Sequence, residues 1–328
     1  MEKTFSTVYG PVFSWRLGWS LGIDPITPPK TCTFDCVYCQ LGRTIKKVSK
    51  PEDVYHLVDV ETVCKDLKRT LNKISLESLD YVTFSGFGEP TLNLEIGRMV
   101  DSVRKLVKDK PIAILTNASL LNREDVRKNL EKMDFVVAKL DAANQKLFEI
   151  INRPSENLRL DSIVENLRIL RQKTTVRIAI QTMLFKSTKN KNSFTKLSIL
   201  KNLAKLIKTI KPDEVQLNTP RRPPAESHIS PLEPHEMKKI AEKFKMWLDG
   251  TKVITPYTPI KPKRSSKKRE VTSLELLEVL KRRPCSIEDL TKTFTVSSKT
   301  VRLYLENLIK SGKVTVKRFY GKEYYKAK

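Results

Sequence analysis

Short apolar runs alternate with helix-period stretches from about residue 76 to residue 218, and this alternation constrains the fold more than any other feature of the chain. Residues 79–84, 111–116, 135–140, 176–184 and 214–218 carry strand character. Between them, residues 96–107 place Ile96, Met99, Val100, Val103 and Leu106 on one helical face, and 160–171 and 197–210 keep the same period. Strands alternating with helices predict a parallel sheet covered by helices, either open or closed into a barrel. In both forms ligands bind at the carboxyl ends of the strands. The chain has 328 residues, enough for two or three domains.

Charge and cysteine usage narrow the class. There are 62 Lys and Arg against 37 Asp and Glu, a formal charge of +25. Such an excess points to a polyanionic partner, nucleic acid first and an anionic membrane surface second. No apolar stretch approaches the ~20 residues of a bilayer span, and the start lacks a signal-peptide core. A cytoplasmic, reducing location without membrane insertion is therefore expected. Of the five cysteines, Cys32, Cys36 and Cys39 crowd one loop while Cys64 and Cys285 stand alone. In a reducing compartment, clustered thiols suggest metal or redox chemistry rather than a disulfide framework.

The loop Cys32-Thr33-Phe34-Asp35-Cys36-Val37-Tyr38-Cys39 is the most informative stretch. Three thiolates within one short loop suit an iron–sulfur cluster or zinc. A structural zinc site takes four ligands, and neither a fourth cysteine nor a histidine is close in sequence; His56 comes nearest. Three thiolates on a four-iron cluster would leave one iron open. An incomplete zinc site and a set of buried or redox thiols remain as alternative readings of the residues alone.

Cysteines in this spacing, with an aromatic residue before the third, resemble the signature of the radical S-adenosylmethionine (SAM) enzymes. The likeness extends over residues 8–225. Residues 17–23 resemble the first strand leading into the cysteine loop, and Gly86-Phe87-Gly88-Glu89-Pro90 is similar to the family's Gly-Gly-Glu-Pro element, with Phe87 set between the two glycines. The resemblance implies an α/β fold, a partial barrel of six (β/α) units with the cluster at its open end. It implies that Cys32, Cys36 and Cys39 bind one 4Fe-4S cluster and that SAM completes the fourth iron. By the same resemblance Tyr38 would lie against the adenine, and Gly88 and Glu89 would hold the methionyl ammonium. The cofactor would then perform the hard step: reductive cleavage of SAM to a 5′-deoxyadenosyl radical that abstracts hydrogen from substrate. A low-potential donor such as ferredoxin or flavodoxin would supply the electron.

Polar residues at the strand ends give further binding candidates: Asn117, Gln181 and Asn218, with Lys139 and Asp141 beside them. Each is open to a plainer role as a turn, a helix cap or an ion pair. His56, His228 and His235 stand in no acid–base constellation and read as surface or structural residues.

Residues 10–23, Pro28-Pro29-Lys30 and Cys39-Gln40-Leu41-Gly42-Arg43-Thr44 resemble a narrower group, short prokaryotic iron–sulfur oxidoreductases related to the enzyme that builds the tricyclic wyosine base of transfer RNA. A second set of three cysteines is absent here, so that enzyme's substrate does not carry over. Residues 1–254 are read as the barrel with an N-terminal extension, 255–269 as a basic, proline-rich linker, and 270–328 as a separate module. In that module three short amphipathic helices, with Ser286 and Ser297 as caps, precede a hairpin pattern at 314–325, which resembles a winged helix-turn-helix. Residues 261–328 hold 19 basic and 7 acidic side chains. Lys299, Arg302, Lys317, Arg318 and Lys322 are its candidates for RNA or DNA contact, with a basic run from Lys186 to Lys211 as a second surface. The leading functional expectation is a radical SAM enzyme acting in RNA or tRNA modification. The alternatives are the same chemistry on a small molecule or peptide, and a non-catalytic iron–sulfur redox sensor that binds DNA.

Overall fold

The computed structural model describes residues 5–189, 194–258 and 271–328. Most of the 255–269 stretch, and Lys191 of the basic run, lie outside the described residues. Eight strands form one sheet: β1 (Val8–Ser14), β2 (Gly18–Ile23), β3 (Tyr81–Phe84), β4 (Ile112–Thr116), β5 (Phe135–Lys139), β6 (Arg177–Met183), β7 (Glu214–Asn218) and β8 (Lys252–Ile254). Their spatial order follows their order in the chain, and the sheet curls into a half-barrel. From β2 onward every neighbouring pair is parallel, while β1 runs antiparallel to β2.

Helical connections follow the strands: α1 (Val60–Leu71), α2 (Ile96–Val107), α3 (Glu124–Glu131), the pair α4 (Gln145–Asn152) and α5 (Leu160–Lys173), α6 (Leu197–Ile210) and α7 (Pro234–Leu248). The sequence dictates this layering. Phe135, Val136, Val137 and Ala138 of β5 are all buried, the unbroken apolar run of a parallel strand covered on both faces. The stripe Ile96, Met99, Val100 and Val103 of α2 is likewise buried, so the helix has one way to face the sheet.

Two strands were not foreseen. Strand β1 contains Gly10-Pro11, which reads as a turn. It is tolerated because β1 is an edge strand whose register is interrupted between Tyr9 and Val12. Strand β8 has only three residues, too few for a periodic signal.

The chain closes with α8 (Ser273–Arg282), α9 (Ile287–Phe294), α10 (Ser298–Lys310) and a hairpin of β9 (Val314–Phe319) and β10 (Lys322–Ala327). Thr272, Ser286 and Ser297 cap the three helices through backbone N–H groups three residues on. Leu276, Leu280, Leu290, Phe294, Val301 and Leu305 make a second apolar core, and Val12 of β1 joins it.

This C-terminal unit is docked on the sheet. Arg282 reaches Asp24, at the end of β2, and packs over the rings of Phe5, Tyr9 and Phe87. On the hairpin, Lys326 Nζ donates to the Leu41 carbonyl at 3.0 Å, and Tyr324 Oη donates to the Arg221 carbonyl at 2.8 Å. Among the described residues no helix is long and apolar enough to cross a membrane.

Candidate active site

The loops that leave the carboxyl ends of β2 and β3 are tied together by their backbones. Thr31 N–H donates to the Phe87 carbonyl at 2.9 Å, and Glu89 N–H donates to the Thr31 carbonyl at 3.2 Å. This approach requires glycine. Gly88 has φ +140°, and a Cβ there would lie 1.5 Å from the Thr31 oxygen. Gly86 has φ +115°, and its Cβ would meet the Asp24 carboxylate at 1.5 Å. The residue pattern 86–90 therefore fixes where the cysteine loop begins.

Each clustered sulfur faces at least one N–H donor. Cys32 Sγ accepts from the Phe34 amide at 3.4 Å and lies 3.6 Å from Asn117 Nδ2. Asn152 Nδ2 donates to Cys36 Sγ at 3.4 Å, and Lys30 Nζ to Cys39 Sγ at 3.3 Å. Burial pushes the Cys36 thiol up to about 11, with help from the nearby Asp141 carboxylate. It pushes Cys32 higher still, in spite of Lys30. Burial lowers Lys30, but the thiols outweigh it, Cys39 first, and its ammonium is held more firmly than usual.

Among the described residues no three His, Cys, Asp or Glu side chains are already gathered into a metal-holding group. The donor chemistry nonetheless fits a soft metal cluster. It offers three thiols on one loop and N–H groups aimed at all three sulfurs, which is how proteins orient and tune cluster thiolates.

The remaining candidates gather around this loop, with more internal partners than the sequence suggested. The Glu89 carboxylate is buried and accepts from four donors: Thr91 N at 3.1 Å, Thr91 Oγ1 at 2.7 Å, Thr116 Oγ1 at 2.6 Å and Asn117 N at 2.6 Å. Burial raises its proton affinity and the four hydrogen bonds oppose that. Glu89 therefore holds Asn117 against Cys32, and Asn117 Nδ2 also donates to Thr33 Oγ1 at 2.7 Å.

Tyr38 is buried, with its hydroxyl donating to Asp141 and Lys139 Nζ lying 4.7 Å above its ring. Asn152 binds the same Asp141 carboxylate at 2.7 Å. Lys139 donates to Gln181 Oε1 at 3.3 Å rather than pairing with Asp141. Asn152 and Lys30, which contact two of the sulfurs, carry no sequence signal of that role.

A cavity of about 440 Å3 opens over these strand ends, lined by Tyr38, Cys39, Gly88, Gln181 and Asn218 among others. Its opposite wall comes from β1, the β1–β2 turn and the C-terminal unit, including Arg16, Arg283 and Asp289. The histidines stay apart from it. His56 Nε2 lies 3.0 Å from Thr31 Oγ1, and His228 Nδ1 lies 3.0 Å from Ser187 Oγ.

Comparison with known proteins identifies the family. Residues 26–191 match the model of the Radical SAM superfamily. The UPF0026 protein MJ1312 of Methanocaldococcus jannaschii is 39% identical over 245 residues, which is 75% of this chain and 73% of that protein. A UPF0026 protein of Helicobacter pylori strain J99 is 29% identical over 99% of this chain and 98% of its own length. The fold is shared with a radical SAM methyltransferase from Sphaerobacter thermophilus, at TM-score 0.52 and 14% identity, across 72% of this chain and 65% of that one. A 4Fe-4S cluster and SAM are the cofactors that go with this family. The chain belongs to the Radical SAM superfamily, alongside the UPF0026 proteins.

Proposed function

We propose that Cys32, Cys36 and Cys39 hold the 4Fe-4S cluster and that the cavity above them is the reaction chamber of a radical SAM enzyme. The observation that carries this reading is the N–H donor facing each of the three sulfurs, on a loop anchored by Gly88 and Glu89 at the strand ends. When bound, the cluster and SAM supply a 5′-deoxyadenosyl radical for hydrogen abstraction.

The chain's own residues do the rest. Lys30, Asn117 and Asn152 orient the sulfurs and lower the cost of their negative charge. Glu89 fixes Asn117, and Tyr38, Gln181 and Asn218 line the space for SAM and substrate. The C-terminal unit covers the chamber and excludes water. Anaerobic incubation of the reconstituted protein with SAM and dithionite is expected to yield 5′-deoxyadenosine. Its absence, with the cluster intact, would refute the enzyme reading in favour of an iron–sulfur sensor.

A second reading concerns the C-terminal unit, whose helix order and hairpin support a winged helix-turn-helix that contacts RNA or DNA. Lys299 and Arg302 on α10 and Lys317 on β9 are exposed and lack ion pairs among the described residues. Each phosphate contact on a duplex contributes about −0.9 to the slope of log affinity against log salt. Replacing these three with Ala should flatten that slope. An unaltered slope would assign the basic surface to protein contact.

A further inference from the structure

We infer that the cavity over the strand ends takes a small substrate bearing a phosphate monoester, seated by Arg16, Arg222 and Arg283. The inference deepens the enzyme reading of the same cavity by naming a substrate class. It does not depend on nucleic-acid binding by the C-terminal unit.

Five arginines line the cavity. Arg282 is already paired with Asp24 and Glu278, and Arg221 is exposed. The other three come from distant parts of the sequence: Arg16 from the β1–β2 turn, Arg222 from the segment after β7, and Arg283 from the junction of α8 and α9. The chain does not satisfy them. The Nε atoms of all three are buried and have no hydrogen-bond partner. Their visible partners are few: Arg222 Nη2 lies 3.3 Å from Asp289 Oδ2, and Arg283 Nη2 lies 3.3 Å from Thr293 Oγ1. Asp289 is the carboxylate that the cavity lining sets against the three.

Burial and the neighbouring Arg222 lower Arg16 to about 10, and burial and Arg283 lower Arg222. Arg283 goes the other way: burial lowers it, but Cys285 and Asp289 outweigh that and raise it. Guanidiniums gathered in one recess with few internal acceptors are costly to a protein, and an anion in the cavity offsets that cost through their terminal nitrogens.

Geometry and charge identify that ligand. Three positive charges facing one negative charge leave an excess that a phosphate monoester, at about −1.5 to −2, offsets more fully than a carboxylate does. Planar guanidinium forks match phosphate oxygens in pairs. A volume of about 440 Å3 lies in the range of small-molecule pockets rather than of a groove for a nucleic-acid duplex. Because Arg283 comes from the C-terminal unit, the site exists only when that unit is docked.

The test is equilibrium binding to the reconstituted full-length protein, without reductant, of ribose 5-phosphate, inorganic phosphate, ribose and succinate. Ribose 5-phosphate and phosphate should bind, with ribose and succinate at least ten-fold weaker. Arg222→Gln and Arg283→Gln should each weaken ribose 5-phosphate by roughly ten-fold or more, the loss of one charge-assisted pair. Arg283→Lys, which retains the charge, should lose less, and thermal unfolding identifies any variant that has failed to fold. Equal binding of phosphate by wild type and the Arg222→Gln, Arg283→Gln double variant would overturn the inference. So would tighter binding of succinate, or displacement of ribose 5-phosphate by SAM, which would place the guanidiniums in the cofactor's own pocket. Missing 5′-deoxyadenosine in the wild type, with phosphate binding intact, would sink the enzyme reading and leave the anion site standing.

Discussion

Arg282 donates its Nε–H to Asp24 Oδ2 at 2.6 Å, and neither side chain is more than 2% exposed. This pair joins the last turn of α8 to the end of β2, and Arg282 also contacts Glu278 and the Ser6 carbonyl. Removing one member leaves the other charge buried and uncompensated, which costs about 3–5 kcal/mol. Arg282→Leu should therefore lower stability by that amount in denaturant unfolding at about pH 8, where Asp24 is ionised. Adding Asp24→Leu should recover much of the loss. A single-variant cost below about 1 kcal/mol, the value of a surface pair, would show that the unit is not held here.

The pH dependence of stability should carry the mark of Asp24. Burial raises its carboxyl to about 7, against the pull of Arg282, and its Oδ1 has no hydrogen-bond partner. Between about pH 4 and pH 7 the native state then holds a proton that the unfolded state has released. This group's contribution to stability is largest below that window and falls as pH rises through it, by up to about 1.4 kcal/mol per unit. Asp24→Asn should remove that component, seen as the difference between the two stability–pH curves. Parallel curves for wild type and variant would rule the effect out.

Gly88→Ala tests the coupling between the glycine loop and the cysteines. The added methyl would have to displace the Thr31 carbonyl, one residue before Cys32, from a backbone angle that alanine avoids. Iron and sulfide content after reconstitution should drop well below wild type, with the apo-protein still folded by circular dichroism. Normal cluster loading would show that the two loops move independently.

Cluster ligation separates the five cysteines. Ala replacements of Cys32, Cys36 and Cys39 together should bring iron and sulfide to background. Cys64→Ala and Cys285→Ala should retain both, because Cys285 lies in the core of the C-terminal unit and Cys64 on α1. Stoichiometric zinc without labile sulfide in the wild type would contradict the assignment.

Asn152→Leu addresses tuning rather than assembly. It deletes the donor to Cys36 Sγ while leaving all three thiols. Hydrogen bonds to the sulfurs favour the more negative, reduced cluster, so the midpoint potential should fall with iron content unchanged. An unshifted potential would make Asn152 purely a partner of Asp141 and Tyr38.

Much of the barrel was legible because its signals are local. Helix 96–107 is read at its observed bounds, since its apolar stripe has one period and a covered sheet to face. Strand β1 was hidden because Gly10-Pro11 speaks for a turn until the edge position is known. The cysteines and Glu89 were legible as a pattern. The surroundings of Glu89 were not: the donors from Thr116 and Asn117 come from another strand end, some 27 residues on. The sequence leaves Lys139 open to substrate or to an ion pair, Asp141 included; in the fold Tyr38, Asn152 and the Met183 amide fill that carboxylate, and Lys139 turns to Gln181.

By itself, the sequence determined the order of the central strands and helices, the thiol loop, the two glycines it leans on, and the helices and hairpin of the C-terminal unit. All of these follow from short-range periodicity, capping chemistry and spacing. Only the tertiary structure decided that this unit closes over the strand ends, and that Arg16, Arg222 and Arg283 meet in one cavity. The physical reason is that such contacts depend on how the sheet curls and where a buried pair like Arg282–Asp24 brings distant segments together, and neither leaves a periodic trace in the chain.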